Sequence, residues 1–236
     1  MLTDLPCPKA NFSKAELSDA KLCGATLTET SFVEAVVRNA DFTKADLSGA
    51  VLQGADLTAA DLSGAGLTGT KFAGALNLPA ATFDNLRGAI LYGDLTGVDL
   101  TGADLTGTKF AGALNLRAAT FDNLRGAILD GVDLTGVDLS GKDLSGANLS
   151  RANLSGANLS RANLSRSNLW GSNLSGANLS GANLSGVIIT GANLEGVKQA
   201  GFTCAEAKRA GFTCAEAKRA GFMPRALLVF WEGGRI

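Results

Sequence analysis

The 236-residue chain contains no histidine, and this absence excludes several kinds of chemistry. Histidine is the side chain that most readily changes its charge near neutral pH. Histidine-activated serine or cysteine nucleophiles and histidine-containing metal sites are therefore impossible within this chain. Aromatic residues are also scarce, with one Tyr and two Trp beside 30 Gly. The composition argues against an enzyme and predicts a narrow interior built mainly from Leu and Ala.

Net charge, cysteine motifs and long apolar runs are lacking as well. The formal net charge is −1, and the four cysteines form no CxxC pair, so we predict that they are reduced, small apolar fillers (Cys7, Cys23, Cys204 and Cys214). The first nine residues lack the apolar region of a signal peptide. The apolar run 226–231 is far shorter than the ~20 residues that a membrane span requires. We expect a soluble, cytoplasmic protein with no cofactor.

A five-residue period is what the chain does contain. The unit reads Ala, Asp or Asn, Leu, Ser or Thr, Gly, and its central Leu or Phe recurs every five residues. On an α-helix these central residues would step round the surface by about 140° and leave no apolar face. On a strand, odd spacing would send alternate leucines to opposite sides. Each unit is therefore predicted to form one side and one corner of a coil, with Ser, Thr and Gly in the turn.

The tandem ANLSG and ANLSR text of residues 147–184 resembles the pentapeptide-repeat family, and the resemblance extends over residues 10–197. It implies an all-β solenoid, a right-handed quadrilateral β-helix with four units per coil. Counting the units gives about nine to ten coils, or roughly 45 Å at the spacing of β-strands. Residues 1–9 are interpreted as a lead-in to this repeat domain.

Two irregular segments, residues 73–85 and 111–123, interrupt the period. They lie in near-copies that differ at Pro79 and Arg117, and both positions are candidate partner contacts. Fourteen residues separate Phe72 from Leu86, one fewer than three units. The sequence leaves two interpretations open: bulges left by a duplication, or a paired binding epitope.

The spacing of the two copies predicts that both leave the same corner of the coil. The stretch from Phe72 to Phe110 accommodates eight units, or two coils, if Leu91 to Leu95 is also one residue short. Whether Phe83 or Leu86 points inward stays open. The predicted column contains ten central residues: Phe12, Phe32, Leu52, Phe72, Leu91, Phe110, Leu129, Leu149, Leu169 and Ile189.

The residue after each member of this column faces outward. Val33, Tyr92 and Trp170 are then expected on one outer face and are candidate partner contacts, since an exposed Trp often marks an interface. Chance exposure is the alternative.

The repeat ends before a different C-terminal segment, residues 198–236. GFTCAEAKRA occurs twice there, and Thr203 with Glu206 forms a helix capping box in the first copy. We expect two short helices that either cover the open end of the coil or dock onto a partner. The apolar candidates for such docking are Phe222, Phe230 and Trp231.

Among functions, the sequence favours a non-enzymatic scaffold that binds proteins. The Asp residues of the second unit position are expected to make local hydrogen bonds. The resemblance also implies an alternative, a DNA-mimicking binder of type II topoisomerase, which requires an acidic rod. Residues 40–146 hold 13 Asp against seven Lys or Arg, a net of −6, but the later repeats are nearly uncharged. A second alternative is binding to ice through Ser and Thr arrays.

Binding of nucleic acid is not expected, because the C-terminal tail from residue 201 has six Lys or Arg against three Glu, a net of only +3. The family resemblance adds plastid stroma or thylakoid lumen as an alternative location.

Overall fold

A computed structural model describes residues 6–75, 86–91, 93–95, 98–110, 112–116 and 120–197. The chain divides into two compact units, Met1–Asp122 and Asn123–Ile236, and each is described by itself. No helix in the described ranges is long and apolar enough to cross a membrane. The helices predicted after residue 201 lie outside these ranges.

Residues 152–156 show how five residues make a side and a corner. Ala152 and Leu154 are buried, whereas Asn153 and Ser155 face outward. The peptide N–H of Ala157 donates to the carbonyl oxygen of Leu154 at 3.0 Å and closes a four-residue turn. The corner residue, Gly156, has a φ of 66°. A positive φ at the third residue of the turn defines the type II turn and favours glycine there.

Successive coils are joined by backbone hydrogen bonds between residues about 20 positions apart. The N–H of Leu154 donates to the carbonyl of Asn173 at 2.7 Å, and the N–H of Asn153 donates to the carbonyl of Val132 at 2.9 Å. Asn153 thus forms parallel bridges to Asp133 and Asn173. A 20-residue repeat of the bridges means four units per coil. The predicted right-handed quadrilateral β-helix is confirmed.

The first unit keeps the 20-residue repeat up to Lys71 and then loses one residue in each of two coils. Lys71 pairs with Ile90, and Ile90 pairs with Lys109. The next residues along the chain, Phe72, Leu91 and Phe110, are all buried in one column. The prediction of two coils between Phe72 and Phe110 is confirmed, so both duplicated segments begin from the same side of the first unit. The predicted continuation of the column from Phe110 to Leu129 runs between the two units and stays a prediction.

Four two-residue strands lie where the period is irregular. β1 (Gly93–Asp94) pairs in parallel with β3 (Ala113–Leu114), and β2 (Asp99–Leu100) pairs in parallel with β4 (Thr120–Phe121). Gly93 lies opposite Ala113, whereas Asp99 lies opposite Thr120, so the second pairing spans one position more than the first. The connection from β3 to β4 is therefore one residue longer than the connection from β1 to β2. Asn115 follows β3 with a φ of 56°.

The duplicated segments bury more central residues than the sequence could assign. Leu86 is buried in the first copy, whereas Phe83 lies outside the described residues. In the second copy both Phe121 and Leu124 are buried, although only three positions separate them. Phe121 and Leu124 are the counterparts of Phe83 and Leu86, between which the sequence could not choose the inward residue. In the second copy both counterparts are buried.

The cysteine prediction holds only in part. Cys7 and Cys23 are free thiols and are half-buried. Cys7 occupies a central position, but Cys23 follows Leu22 in the turn, where side chains point away from the interior. Cys23 is therefore not the core filler that the sequence predicted. Cys204 and Cys214 lie outside the described residues.

Candidate protein-contact surface

The Asp or Asn of each unit binds the turn that follows it. Its Oδ1 accepts a hydrogen bond from the N–H two residues later, as in Asp46 with Ser48 at 3.0 Å and Asn153 with Ser155 at 3.2 Å. This Asx arrangement stabilises the corner. The expected local hydrogen bond from the turn N–H is present at Asp41, Asp46, Asp56, Asp61, Asp104, Asp133, Asp138 and Asp143.

Four of the carboxyl groups have a pKa below the usual value because hydrogen bonds favour the charged form. The hydroxyl and then the N–H of Thr43 lower the pKa of Asp41, and Thr106 does the same for Asp104. Ser140 lowers the pKa of Asp138, and Arg151 with Ser150 lowers that of Asp130. All four carboxylates are anionic at neutral pH. Asp41, Asp104 and Asp138 accept from the turn that follows each of them, whereas Asp130 accepts from Ser150 and Arg151 of the next coil. No group of three or more His, Cys, Asp or Glu in the described ranges could hold a metal ion.

On three of the four sides of the second unit, the polar side chains also bond to one another from coil to coil. In each linked pair, the amide Nδ2 of the later Asn donates to the Oδ1 of the Asp or Asn 20 positions earlier, at 3.0–3.3 Å. We call these columns the amide ladders: Asp143–Asn163–Asn183, Asn153–Asn173–Asn193 and Asp138–Asn158–Asn178. Their hydrogen-bonding groups are engaged within the protein.

The fourth side of the second unit has a different surface, which we call the tryptophan face. Its backbone ladder is Ile128, Asn148, Asn168 and Ile188, and Trp170 projects from the same side. Trp170 is 51% exposed and Ile188 is 54% exposed. Within the described ranges, no other large hydrophobic side chain is as open to solvent.

Trp170 and Ile188 are neighbours on adjacent coils. Asn168 is bridged to Ile188, and the N–H of Leu169 donates to the carbonyl of Ile188 at 2.6 Å. Trp170 lies two residues after Asn168, so it points to the same side of the coil. Side chains in this diagonal relation across two strands are close enough to make one contact surface.

Arginines stand at both edges of the tryptophan face. Arg166 occupies the corner that leads into the face and Arg151 the corner that leaves it, with φ values of 59° and 57°. The guanidinium of Arg151 binds the carboxylate of Asp130, which raises the pKa of Arg151 and lowers that of Asp130. Arg166 is exposed and has no ion-pair partner among the described residues. One edge of the apolar pair is therefore cationic, at Arg166, whereas at the other edge Asp130 compensates the charge of Arg151.

The structure describes two of the predicted contact residues, and their contact with a partner stays a prediction. Trp170 is exposed as expected, and Val33, in the first unit, is half-buried. Since the two residues belong to different units, the common outer face predicted for them stays a prediction. The other predicted contacts lie outside the described residues: Tyr92, Pro79, Arg117, Phe222, Phe230 and Trp231.

Sequence analysis missed Ile188, although a signal was present. Of the second unit positions from 123 to 193, all are Asp or Asn except Ile128 and Ile188. An aliphatic residue at this outward position cannot join an amide ladder. Val33 has the same diagonal relation to Val51 in the first unit, but both of those residues are half-buried.

Comparison with known proteins identifies the family. The family profile described as pentapeptide repeats in eight copies matches residues 10–49, 40–76, 85–124, 127–166 and 162–198. No curated protein matches the chain in sequence.

Several solved structures resemble the chain. HetL, a pentapeptide repeat protein involved in heterocyst differentiation regulation in the cyanobacterium Nostoc sp. strain PCC 7120, shares 33% identity over 83% of this chain and 87% of its own, with a TM-score of 0.39. A pentapeptide repeat protein from the thylakoid lumen of Arabidopsis thaliana shares 31% identity over 46% of this chain and 65% of its own, with a TM-score of 0.30. QnrB1, a plasmid-mediated fluoroquinolone resistance protein, shares 20% identity over 89% and 98%, with a TM-score of 0.46. Because the family profile matches most of its length, the chain belongs to the pentapeptide-repeat family.

Proposed function

We propose that this protein is a non-enzymatic scaffold that binds a protein partner through the tryptophan face of its second unit. The observation that carries the proposal is the pairing of Trp170 and Ile188, 51% and 54% exposed, on the side of that unit that has no amide ladder among residues 123–197. Exposed apolar groups that lie together are typical of contact sites, whereas isolated ones need no explanation.

The chemistry of the pair suits an anchor for a partner. Trp combines a large apolar surface with one N–H donor and is enriched at the energetically dominant positions of interfaces. The side chains nearby are small and polar, among them Asn168 and Thr190. A flat polar surround of this kind permits close approach and excludes water from the anchor.

The absence of histidine and the use of the carboxylates support a non-enzymatic role. Asp41, Asp104, Asp130 and Asp138 accept hydrogen bonds from turn residues or from Arg151, and their pKa values are lowered. A general acid or base that works near neutrality requires a pKa close to 7 instead.

Two other functions have less support. A DNA-mimicking surface requires continuous negative charge, but residues 147–194 contain three Arg and no Asp or Glu. An ice-binding surface needs a regular Thr array, whereas three sides of the second unit carry Asn columns.

The proposal is tested by affinity capture with the full chain and two matched variants. Trp170→Ser with Ile188→Asn removes the apolar pair, and Ser160→Ala changes the opposite side of the coil. Loss of an anchor pair of this kind costs about 2 kcal/mol or more, roughly a 30-fold loss of affinity. We expect partners captured by the wild type and by Ser160→Ala to be lost with the double variant. Identical captured sets for all three proteins would rule out the tryptophan face as the binding site.

A further inference from the structure

We infer that the partner at the tryptophan face is a polypeptide segment that presents Asp or Glu side chains beside its apolar residues. This inference rests on the proposed function. It comes from the juxtaposition of an exposed apolar pair with Arg166, an exposed corner arginine that has no ion-pair partner among the described residues, within a stretch of chain that has no acidic residue.

The charge of this part of the chain is one-sided. Between residues 147 and 194 there are three arginines, Arg151, Arg161 and Arg166, and no Asp or Glu, so the stretch carries a net charge of +3. Arg161 and Arg166 have no ion-pair partner among the described residues. Arg151 is bound to Asp130, which belongs to the preceding coil. Of Arg161 and Arg166, the latter lies at the edge of the tryptophan face and is therefore the charge available to a partner there.

The two arginines at the edges are close to the apolar pair. A Cβ added to Gly186, two residues before Ile188, would lie 3.6 Å from Cγ of Arg166. The N–H of Arg151 donates to the carbonyl of Trp170 at 2.8 Å. The stem of Arg166 and the backbone of Arg151 thus border the pair on opposite edges. Charges at the rim of an interface guide the approach of a partner with the opposite charge and select against partners with the same charge.

A nucleic acid would also offer negative charge and groups that stack on Trp, but the tryptophan face is less suited to it. Asp130 projects from the same side, in the column that contains Ser150, Trp170 and Thr190. Its carboxylate would lie against a continuous phosphate backbone. A polypeptide can place its acidic side chains near Arg166 and leave the neighbourhood of Asp130 uncharged.

The test begins with selection of random 12-residue peptides displayed on phage. The full wild-type chain is immobilised, and peptides that also bind Trp170→Ser with Ile188→Asn are removed. We expect the remaining peptides to combine apolar residues with a net negative charge. Their affinity is then measured by fluorescence anisotropy with the wild type, with Arg166→Gly and with the charge control Arg125→Gly, two coils earlier.

The expected result is a roughly two- to fivefold loss of affinity for Arg166→Gly at low salt, as for one exposed ion pair. That difference should vanish near 0.5 M salt, where the Debye length falls to about 4–5 Å. Arg125→Gly should bind like the wild type, because Arg125 lies on another side of the second unit.

The outcomes separate this inference from the proposed function. If no peptide survives removal of the double-variant binders, the proposed function fails. If the surviving peptides are neutral or basic and Arg166→Gly binds them like the wild type, the face remains a binding site but the acidic partner is wrong. A single-stranded oligonucleotide that displaces the peptides in a Trp170-dependent manner would also overturn the inference.

Discussion

At the scale of single residues, the corner position of each unit determines how much backbone strain the coil contains. Most corners of the second unit are glycine, for which a positive φ is unstrained. Three are arginine, with φ between 57° and 59°. A left-handed conformation costs an L-residue about 1–2 kcal/mol. Strain that a protein retains where glycine would remove it is consistent with a role for the side chain.

Glycine at these corners is expected to stabilise the fold. Relief of strain in Arg166→Gly, less the larger unfolded-state entropy of glycine, should raise the free energy of unfolding by roughly 0.5–1 kcal/mol. Arg161→Gly should raise the free energy of unfolding by a similar amount. Arg125→Gly is the control, because Arg125 precedes its corner and has no positive φ, so glycine there should destabilise. Urea unfolding of the three variants measures the effect; a gain in the control or a loss at both corners would contradict it.

Hydrogen bonds from turn residues to carboxylates make the free energy of unfolding depend on pH in the acidic range. Thr43 lowers the folded-state pKa of Asp41 below the value of about 3.9 in an unfolded chain. The contribution is therefore complete above pH 4 and is lost as the pH falls through the folded-state pKa. Asp41→Asn keeps an acceptor for the turn but removes the charge. We expect its unfolding free energy to fall less steeply than that of the wild type below pH 4, and equal slopes would contradict this account.

At the scale of elements, each side of a coil is stabilised by columns of side chains that stack on those of the neighbouring coils. Within the core, buried Leu and Ala stack from coil to coil, and on three outer sides of the second unit the amide ladders connect the coils. Buried hydroxyls replace Ala at some inner positions and still find acceptors. Thr70 Oγ1 donates to the carbonyl of Leu47 at 2.8 Å, and Thr108 Oγ1 donates to that of Leu86 at 2.7 Å.

The contribution of a ladder can be separated from that of a turn by two asparagine substitutions. Asn158 and Asn168 both accept from the N–H two residues later, at 3.2 and 3.0 Å. Asn158 also takes part in two ladder bonds, with Asp138 and Asn178. Since a net hydrogen bond contributes about 0.5–1.5 kcal/mol, Asn158→Ala should cost about 1–2 kcal/mol more than Asn168→Ala. Equal losses in thermal or urea unfolding would mean that the ladder bonds add nothing.

The sequence predicted the elements best where the period is regular. The column of Phe72, Leu91 and Phe110 could be counted because every coil must bury four central residues. The extra residue between β3 and β4 could not be located, since fourteen residues can be divided among three units in several ways. All of these divisions place apolar residues inside equally well. They differ only in the backbone conformation that residues such as Asn115 adopt, which the apolar pattern does not reveal.

The candidate surface was predicted only in part for a related reason. Trp170 stands out in any sequence of this composition, since it is one of two Trp residues. Ile188 does not, because an aliphatic residue in a Leu-rich repeat is expected to be buried. Only the phase of the repeat places Ile188 outward, and only the bridge between Asn168 and Ile188 places it beside Trp170.

At the scale of the whole molecule, a coil rather than a unit is the repeating element that can be added or removed. One coil fixes the backbone of about 20 residues, at roughly 1–2 kcal/mol each, and regains only about 1.5–3 kcal/mol from each of its four central side chains. Stability therefore depends on contacts with the coils on either side, as in other solenoids.

Removal of one coil should preserve folding, whereas removal of a similar length out of phase should not. Deletion of residues 132–151 joins Gly131 to Ala152 and returns every remaining Leu to its original side. Deletion of 132–149 is two residues shorter and turns the following central residues away from the interior. We expect cooperative unfolding, measured by circular dichroism, for the in-phase deletion only. If both deletion variants unfold equally cooperatively, the stacking of central residues in columns is contradicted. Coils that are one residue short do occur in the first unit, between Lys71 and Lys109.

The most direct test of the proposed binding surface is oxidative footprinting of the protein with a saturating amount of its captured partner. Hydroxyl radicals react readily with exposed Trp, and Trp170 is 51% exposed in the free chain. If the tryptophan face is the contact, oxidation of Trp170 and Ile188 falls together in the complex while the side chains of the amide ladders keep their reactivity. Undiminished oxidation of Trp170 in a saturated complex would contradict the proposed function.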